Sequence, residues 1–280
     1  MMYDKIEKIG KSLVQHGPNN DRIYLKQLHK DDLTTIAEDL YNLAILKRYT
    51  KIIAKVPEGD IENFIEHNYR IEASIPGLYQ GRGKGYFLAH FFGAKRSFVP
   101  KQDRKLSESI LKTATEIFDA EPFEIPEKYH IRKINKSEVG CLAKLYRMVY
   151  KFYPFPIFKE KYLNKFIDES ATFLGIYMEE KLIAAASIEI DENNENAQLG
   201  NFVTHSEHIG RNLTYFLLRS LENVAKEKLI KTLYSMVPAS SHGINKVFGR
   251  YHYHFGGTLI NNTLIGDTLQ SMNVWHKKLK

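Results

Sequence analysis

The sequence predicts a mixed α/β protein built from two related domains. Three observations carry this: segments of strand and helix periodicity alternate along the chain, a proline-punctuated polar stretch divides it near its middle, and one local pattern occurs once in each half.

In the first half, "DRIYLKQL" (21–28) reads as a strand, and "DDLTTIAEDLYNLAILKR" (31–48) carries an apolar stripe at Leu33, Ile36, Leu40, Leu43 and Leu46, the spacing of a helix face. "YTKIIAKVP" follows as a short strand and "EGDIENFIEHN" as a short helix. "YRIEASIPGLY" and "GYFLAHFF" are then two strands joined by "QGRGKG". The glycines of that link read as a flexible hairpin more readily than as a phosphate cradle, because apolar strands flank them. The stretch 99–127 holds one charged helix and then prolines, which places a domain boundary there and divides the chain into 1–125 and 126–280.

The second half opens with "YHIRKI" as a strand. A helix from Ser137 carries Val139, Leu142, Leu145, Tyr146 and Val149 on one face. After the loop "YPFPIF" come a second helix, "KEKYLNKFIDES", and three strands, "ATFLGIYM", "KLIAAASIEI" and "AQLGNFVT". The stripe Leu213, Leu217, Leu221 and Val224 marks a long helix. "TLYSMVP" is a strand, "SSHGINKVFGRYH" a helix, and "HFGGTLINNT" and "MNVWHKKL" close the chain as strands. The repeated pattern pairs "VPEGDIENFIEHNYRIEASIPG" with "VPASSHGINKVFGRYHYHFGGT". In both, a Val-Pro strand end leads through a short helix, and Phe64 stands before Asn68 and Tyr69 as Phe248 stands before His252 and Tyr253.

Composition narrows the function classes. A hydrophobic fraction of 43% and a charged fraction of 26% describe an ordinary globular chain, and the formal net charge of +7 suits a polyanionic partner. The basic residues are dispersed and form no arm of the kind that binds nucleic acid, so no nucleic-acid partner is expected. The single cysteine, Cys141, excludes an internal disulfide and fits a reducing compartment; in a helix-like stretch it reads as a small buried residue before it reads as a nucleophile. No apolar run approaches the ~20 residues that span a bilayer, and "MMYDKIEKIGKSL" lacks the apolar core of a signal peptide, so a cytoplasmic protein with no membrane partner is expected. His205, His208, His252 and His254 lack acidic or cysteine ligands at matching spacing, and no metal is expected. Oligomeric state is left open, a homodimer included.

The turn before the long helix is the main chemical signal. Gly210 and Asn212, the residue types that best tolerate left-handed backbone, flank Arg211 and precede Leu213 and Thr214. Backbone N–H groups at a helix mouth with a cation beside them suit a diphosphate, although many helices begin this way for capping reasons alone.

This order of elements with this turn resembles the GNAT acetyltransferase family. The resemblance implies a GNAT fold with a mixed, mostly antiparallel central sheet, preceded by a partial GNAT-like N-terminal domain, and acetyl-CoA as cosubstrate with no metal. The family motif Arg/Gln-x-x-Gly-x-Gly/Ala falls on residues 209–214, with Ile209, Asn212 and Thr214 as departures. Its second signature places Ser241, Asn245 and Phe248 against the cofactor, and Phe248 stands where relatives carry a tyrosine acid. Tyr251, three residues on, is a candidate replacement; otherwise the thiolate leaves unassisted. The resemblance also implies that backbone at Phe202 and Val203 polarises the thioester.

A more specific resemblance, to β-lysine N-acetyltransferases that make the osmolyte Nε-acetyl-β-lysine, covers the whole chain through "YRIEASIPGLYQG", "NKVFGRYHYHFGGTLINNT" and "MNVWHKKL", among other segments. It implies β-lysine as the small-molecule acceptor. "GNFVT" departs from the expected "TDFAT": Asn201 occupies a catalytic position where a carboxylate is expected and cannot act as a base. An amine of pKa ~10.4 is almost fully protonated at neutral pH, so a proton acceptor is needed. Glu189 and Glu72 are the candidates, and with Tyr153 they are also candidate acceptor-binding residues. A different small amine as acceptor, or a catalytically dead acyl-CoA-binding copy, stays an alternative.

Overall fold

The computed structural model describes residues 3–116 and 124–279. The strands are β1 (Lys5–Ile9), β2 (Ser12–Gly17), β3 (Arg22–Gln27), β4 (Lys51–Pro57), β5 (Arg70–Tyr79), β6 (Gly83–Phe91), β7 (His130–Lys133), β8 (Ala171–Met178), β9 (Lys181–Asp191), β10 (Asn196–Thr204), β11 (Thr232–Pro238), β12 (His254–Ile265) and β13 (Thr268–Lys278). The helices are α1 (Ile36–Lys47), α2 (Ile61–Glu66), α3 (Ala94–Ser97), α4 (Lys101–Thr115), α5 (Val139–Val149), α6 (Glu160–Glu169), α7 (Leu213–Glu227) and α8 (His242–Arg250). Part of the boundary segment expected from the sequence, 117–123, lies outside the described residues.

All strands join one sheet in the order β1-β2-β3-β4-β6-β5-β12-β13-β11-β10-β9-β8-β7. Read outward from its centre, β5-β6-β4-β3-β2-β1 repeats β12-β13-β11-β10-β9-β8. The parallel pair β3–β4 in one half answers the parallel pair β10–β11 in the other, and the remaining pairs are antiparallel. The local geometry repeats too. Phe64 and Phe248 are fully buried, Asn68 and His252 are both left-handed with φ of 62° and 61°, and the N–H groups of Tyr69 and Tyr253 donate to the Phe64 and Phe248 carbonyls at 3.1 and 3.0 Å. Each Tyr ring meets its Phe edge-on, at 5.3 and 4.9 Å. A left-handed residue follows each of α1 and α7 closely, Arg48 directly after α1 and Leu229 two residues after α7.

The halves meet where β5 pairs with β12, at Ala73 and Gly257. Glycine is required there: a Cβ on Gly257 would sit 2.2 Å from the Glu72 carbonyl oxygen, and one on Gly256 would sit 2.5 Å from that of Ser74. Side chains stitch the same seam. Lys51 Nζ donates to Glu72 Oε2 and to the Ile260 carbonyl, both at 2.7 Å, and Glu72 Oε1 accepts the Ile260 N–H at 3.0 Å. Arg22 donates to the Asn262 carbonyl at 2.7 Å.

Apolar packing follows the two faces of this sheet. Helix α7 covers β8–β11 on one face, and α5 and α6 cover the other. In the first half α1 covers β3 and β4. A fourth cluster, with Tyr24, Ile53, Phe87, Tyr234, Met272 and Val274, is shared between the halves. Helix α4, which a division at 125 leaves with the first half, packs on α8 of the second so closely that a Cβ on Gly249 would fall 1.8 Å from the Ala114 carbonyl oxygen. Among the described residues no helix is long and apolar enough to cross a membrane. Cys141, expected to be buried, is exposed on α5.

Candidate active site

The cleft is made by one irregularity in β10. Strands β10 and β11 are paired only from Asn196 to Leu199 on β10, after which β10 continues to Thr204 beside β9 alone. Between Gly200↔Ser187 and Val203↔Ala185, two β10 residues face one on β9, a bulge. Asn201 takes the left-handed conformation there, φ 53°. A cavity of about 630 Å³ occupies the resulting gap.

Three tyrosines hold the bulge. The Tyr146 hydroxyl donates to the Asn201 carbonyl, Tyr150 to the Phe202 carbonyl at 2.8 Å, and Tyr153 to Asn201 Oδ1 at 2.9 Å. Asn201 Nδ2 in turn donates to Ser187 Oγ at 2.8 Å. Burial raises all three phenols, Tyr150 to about 12 and the other two well above the ordinary range, so at neutral pH they remain donors. Tyr146, Tyr150 and Tyr153 were not singled out together from the sequence, yet their spacing of four and three residues is that of one helical face continued into a loop.

At the other end of the cavity the chain enters α7 through two left-handed residues, Gly210 (φ 82°) and Asn212 (φ 58°), and Gly210, Asn212, Leu213 and Thr214 line the wall. Asn212 is the N-cap without a side-chain cap bond, which leaves the Leu213 and Thr214 amides facing the cavity wall for a ligand, while the Tyr215 N–H donates to the Asn212 carbonyl at 3.0 Å. Lys246 and Arg250, one turn apart on α8, also line the cavity, and Arg250 Nε is buried without a hydrogen-bond partner among the described residues. Helix-mouth amides, two cations and an orphaned guanidinium nitrogen fit the diphosphate and phosphate groups of a coenzyme A thioester.

The remaining candidates separate. Phe202, Val203, Asn201, Tyr153 and Ser241 line the cavity. Arg211 does not; its guanidinium reaches the Tyr129 hydroxyl at 3.3 Å. Asn245 is fully buried, donating to the Pro238 and Ser241 carbonyls and accepting from Asn273 and Trp275, so its amide is committed to the core and not to a cofactor. Phe248 is likewise core, edge-on to Phe202 at 5.9 Å. Tyr251 lies outside the lining, under the Lys277 ammonium (4.3 Å to its ring centroid) and against Tyr215, and burial raises its phenol. Glu72 belongs to the seam between the halves, with both oxygens bonded. Glu189, on β9, faces Lys26 of the first half at 3.5 Å. The expectation that no acid accompanies the histidines is corrected: His205, Glu207 and His208 bring their donor atoms within 4.8 Å of one another just before the turn at Gly210, because Glu207 lies in the 3-10 turn that His205 caps and His208 ends.

Comparison with known proteins agrees with this geometry. Residues 141–252 match the acetyltransferase (GNAT) family. The chain is 29% identical over 274 residues to a beta-lysine N(6)-acetyltransferase of Methanococcus maripaludis, covering 98% of each. It is 29% identical over 253 residues to N-acetyltransferase YodP of Bacillus subtilis, covering 85% of this chain and 90% of that one. It is also 30% identical over 159 residues to a beta-lysine N(6)-acetyltransferase of Methanosarcina mazei, covering 57% and 59%. The matched span takes in the bulged strand, the turn at Gly210 and all of α8, and residues 141–252 carry an acetyltransferase domain of the GNAT family.

Proposed function

We propose that this acetyltransferase moves the acetyl group of acetyl-CoA to the ε-amine of β-lysine, giving Nε-acetyl-β-lysine, an osmolyte, in the cytoplasm. The observation that supports this most is the extent of the similarity: it runs over 98% of both chains and so includes the N-terminal half, which meets the catalytic half around Tyr234 and Met272.

The residues suggest a direct transfer. Amides at the mouth of α7, with Lys246 and Arg250, hold the diphosphate side of the cosubstrate, while the bulge at Asn201–Val203 presents backbone to the thioester carbonyl. The neutral amine attacks that carbon; the C–N bond forms, the C–S bond breaks, and the amine's proton passes to Glu189 through water. No acid need serve the leaving sulfur, since a thiol of pKa ~8.5 departs far more easily than an amine. That agrees with Phe248 standing where a hydroxyl is expected and with Tyr251 lying off the cavity.

Thiol release from acetyl-CoA, with β-lysine and α-lysine compared at equal concentration, tests the reading. Release with β-lysine far above α-lysine is the expected result, and saturable acetyl-CoA binding without release for either would sink it. In the same assay Glu189→Gln is expected to lower kcat about 10²-fold; a kcat within two-fold of wild type would remove Glu189 from the proton path.

A further inference from the structure

Strands β11, β10 and β9 carry one polar row across the sheet. Tyr234 is in register with Gln198, and Gln198 with Glu189. Residues in register on neighbouring strands project to the same face, and here two lysines of the N-terminal half meet that face. Lys26 Nζ lies 3.5 Å from Glu189 Oε2, and Lys55 Nζ donates to the Tyr234 hydroxyl at 3.2 Å; that hydroxyl stands 3.2 Å from Gln198 Oε1.

Lys55 is the unusual member. It is 8% exposed, and its partner is a phenol whose ring centroid lies 5.4 Å from the ammonium. Burial raises the Tyr234 phenol, so that partner carries no charge to offset the lysine. Lys51, four residues earlier on the same strand and fully buried, has Glu72 at 2.7 Å. Among the described residues no carboxylate pairs directly with Lys55, a buried ammonium held only by a neutral hydroxyl is costly, and a ligand carboxylate offsets that cost.

The row is continuous with the acetyl-transfer cavity. Met236, two residues beyond Tyr234 and therefore on the same face, lines the cavity and packs with the cluster that contains Tyr24, Phe87 and Tyr234. Gln198 precedes the bulge residue Asn201 by three positions, roughly 10 Å of extended strand, on the order of the extended length of a six-carbon diamino acid.

We propose that Lys55 is the anchor for the acceptor's carboxylate, so that the N-terminal half selects an amino acid over a plain diamine; this rests on the acetyl-acceptor reading above. The probe is β-lysine against 1,4-diaminopentane, which is the same molecule without its carboxyl group, in steady-state thiol-release kinetics of the full chain. The wild-type protein is expected to prefer β-lysine, and Lys55→Met to reduce that preference at least ten-fold through KM for β-lysine, with Lys55→Arg restoring part of it. Thermal unfolding of each variant reports whether it folds, and Lys55→Arg carries the comparison should the methionine variant not. A Lys55→Met protein that keeps the wild-type preference overturns the anchor, as does a wild type that takes the diamine equally well; acetyl transfer then stands. A wild type that acetylates neither amine overturns the acceptor reading, and the anchor with it.

Discussion

Replacing Glu72 by alanine is expected to destabilise the protein by about 3–5 kcal/mol, because it strands a buried ammonium. The side chains of Lys51 and Glu72 are 0% and 3% exposed, and burial already pulls the Lys51 ammonium down to about 7 against the opposing pull of Glu72. The substitution also removes the acceptor for the Ile260 N–H, so both strands of the seam lose a bond at once. In a thermal scan the melting temperature is expected to fall by on the order of 10 °C. The pair Lys51→Met with Glu72→Leu is expected to recover part of the loss, since it deletes the charge along with its partner. A single Glu72→Ala protein that melts with the wild type, but shows a raised KM for the amine, would contradict the seam role and return Glu72 to the acceptor site.

Glu72 also shows where sequence reading stops. Its strand was legible from alternating apolar residues, but its partner Lys51 and the β12 backbone it accepts from lie 21 and 188 positions away, which no local pattern reports. Tyr251 fails for a different reason. Tyr251 shares a helix face with Phe248 only if the helix continues, and α8 ends at Arg250, which turns Tyr251 toward Lys277 and Tyr215. The hairpin β1–β2 was missed because Ser12 and His16 are buried by hydrogen bonds in place of apolar content, while β1 is a charged edge strand. What was legible rests on short-range chemistry. The Gly210 and Asn212 turn follows from left-handed tolerance, and the internal repeat from a Phe, Asn/His, Tyr spacing that the backbone reproduces to within a degree in φ.

Asn201→Val is expected to lower kcat by about 10²–10³-fold, the range seen when a preorganised donor at a developing oxyanion is lost. Valine is the harshest test because a β-branched side chain at φ 53° is strained by roughly 1–3 kcal/mol. The variant also loses the bonds to Ser187 Oγ and from the Tyr153 hydroxyl that fix the bulge. With only the Tyr146 and Tyr150 hydroxyls left to hold the bulge, through its backbone carbonyls, β10 gains by sliding toward register with β9, and the backbone at Phe202 and Val203 rotates away from the cavity. Asn201→Gly separates the two contributions, since glycine keeps the left-handed conformation but not the amide bonds, and a loss nearer ten-fold is expected for it. The proposed diphosphate site lies at the far end of the cavity, between α7 and α8, so KM for acetyl-CoA should move much less than kcat in both variants. Equal losses in the two would assign the effect to the amide bonds alone, and a valine variant within two-fold of wild type would show that the bulge does not position the reacting carbonyl.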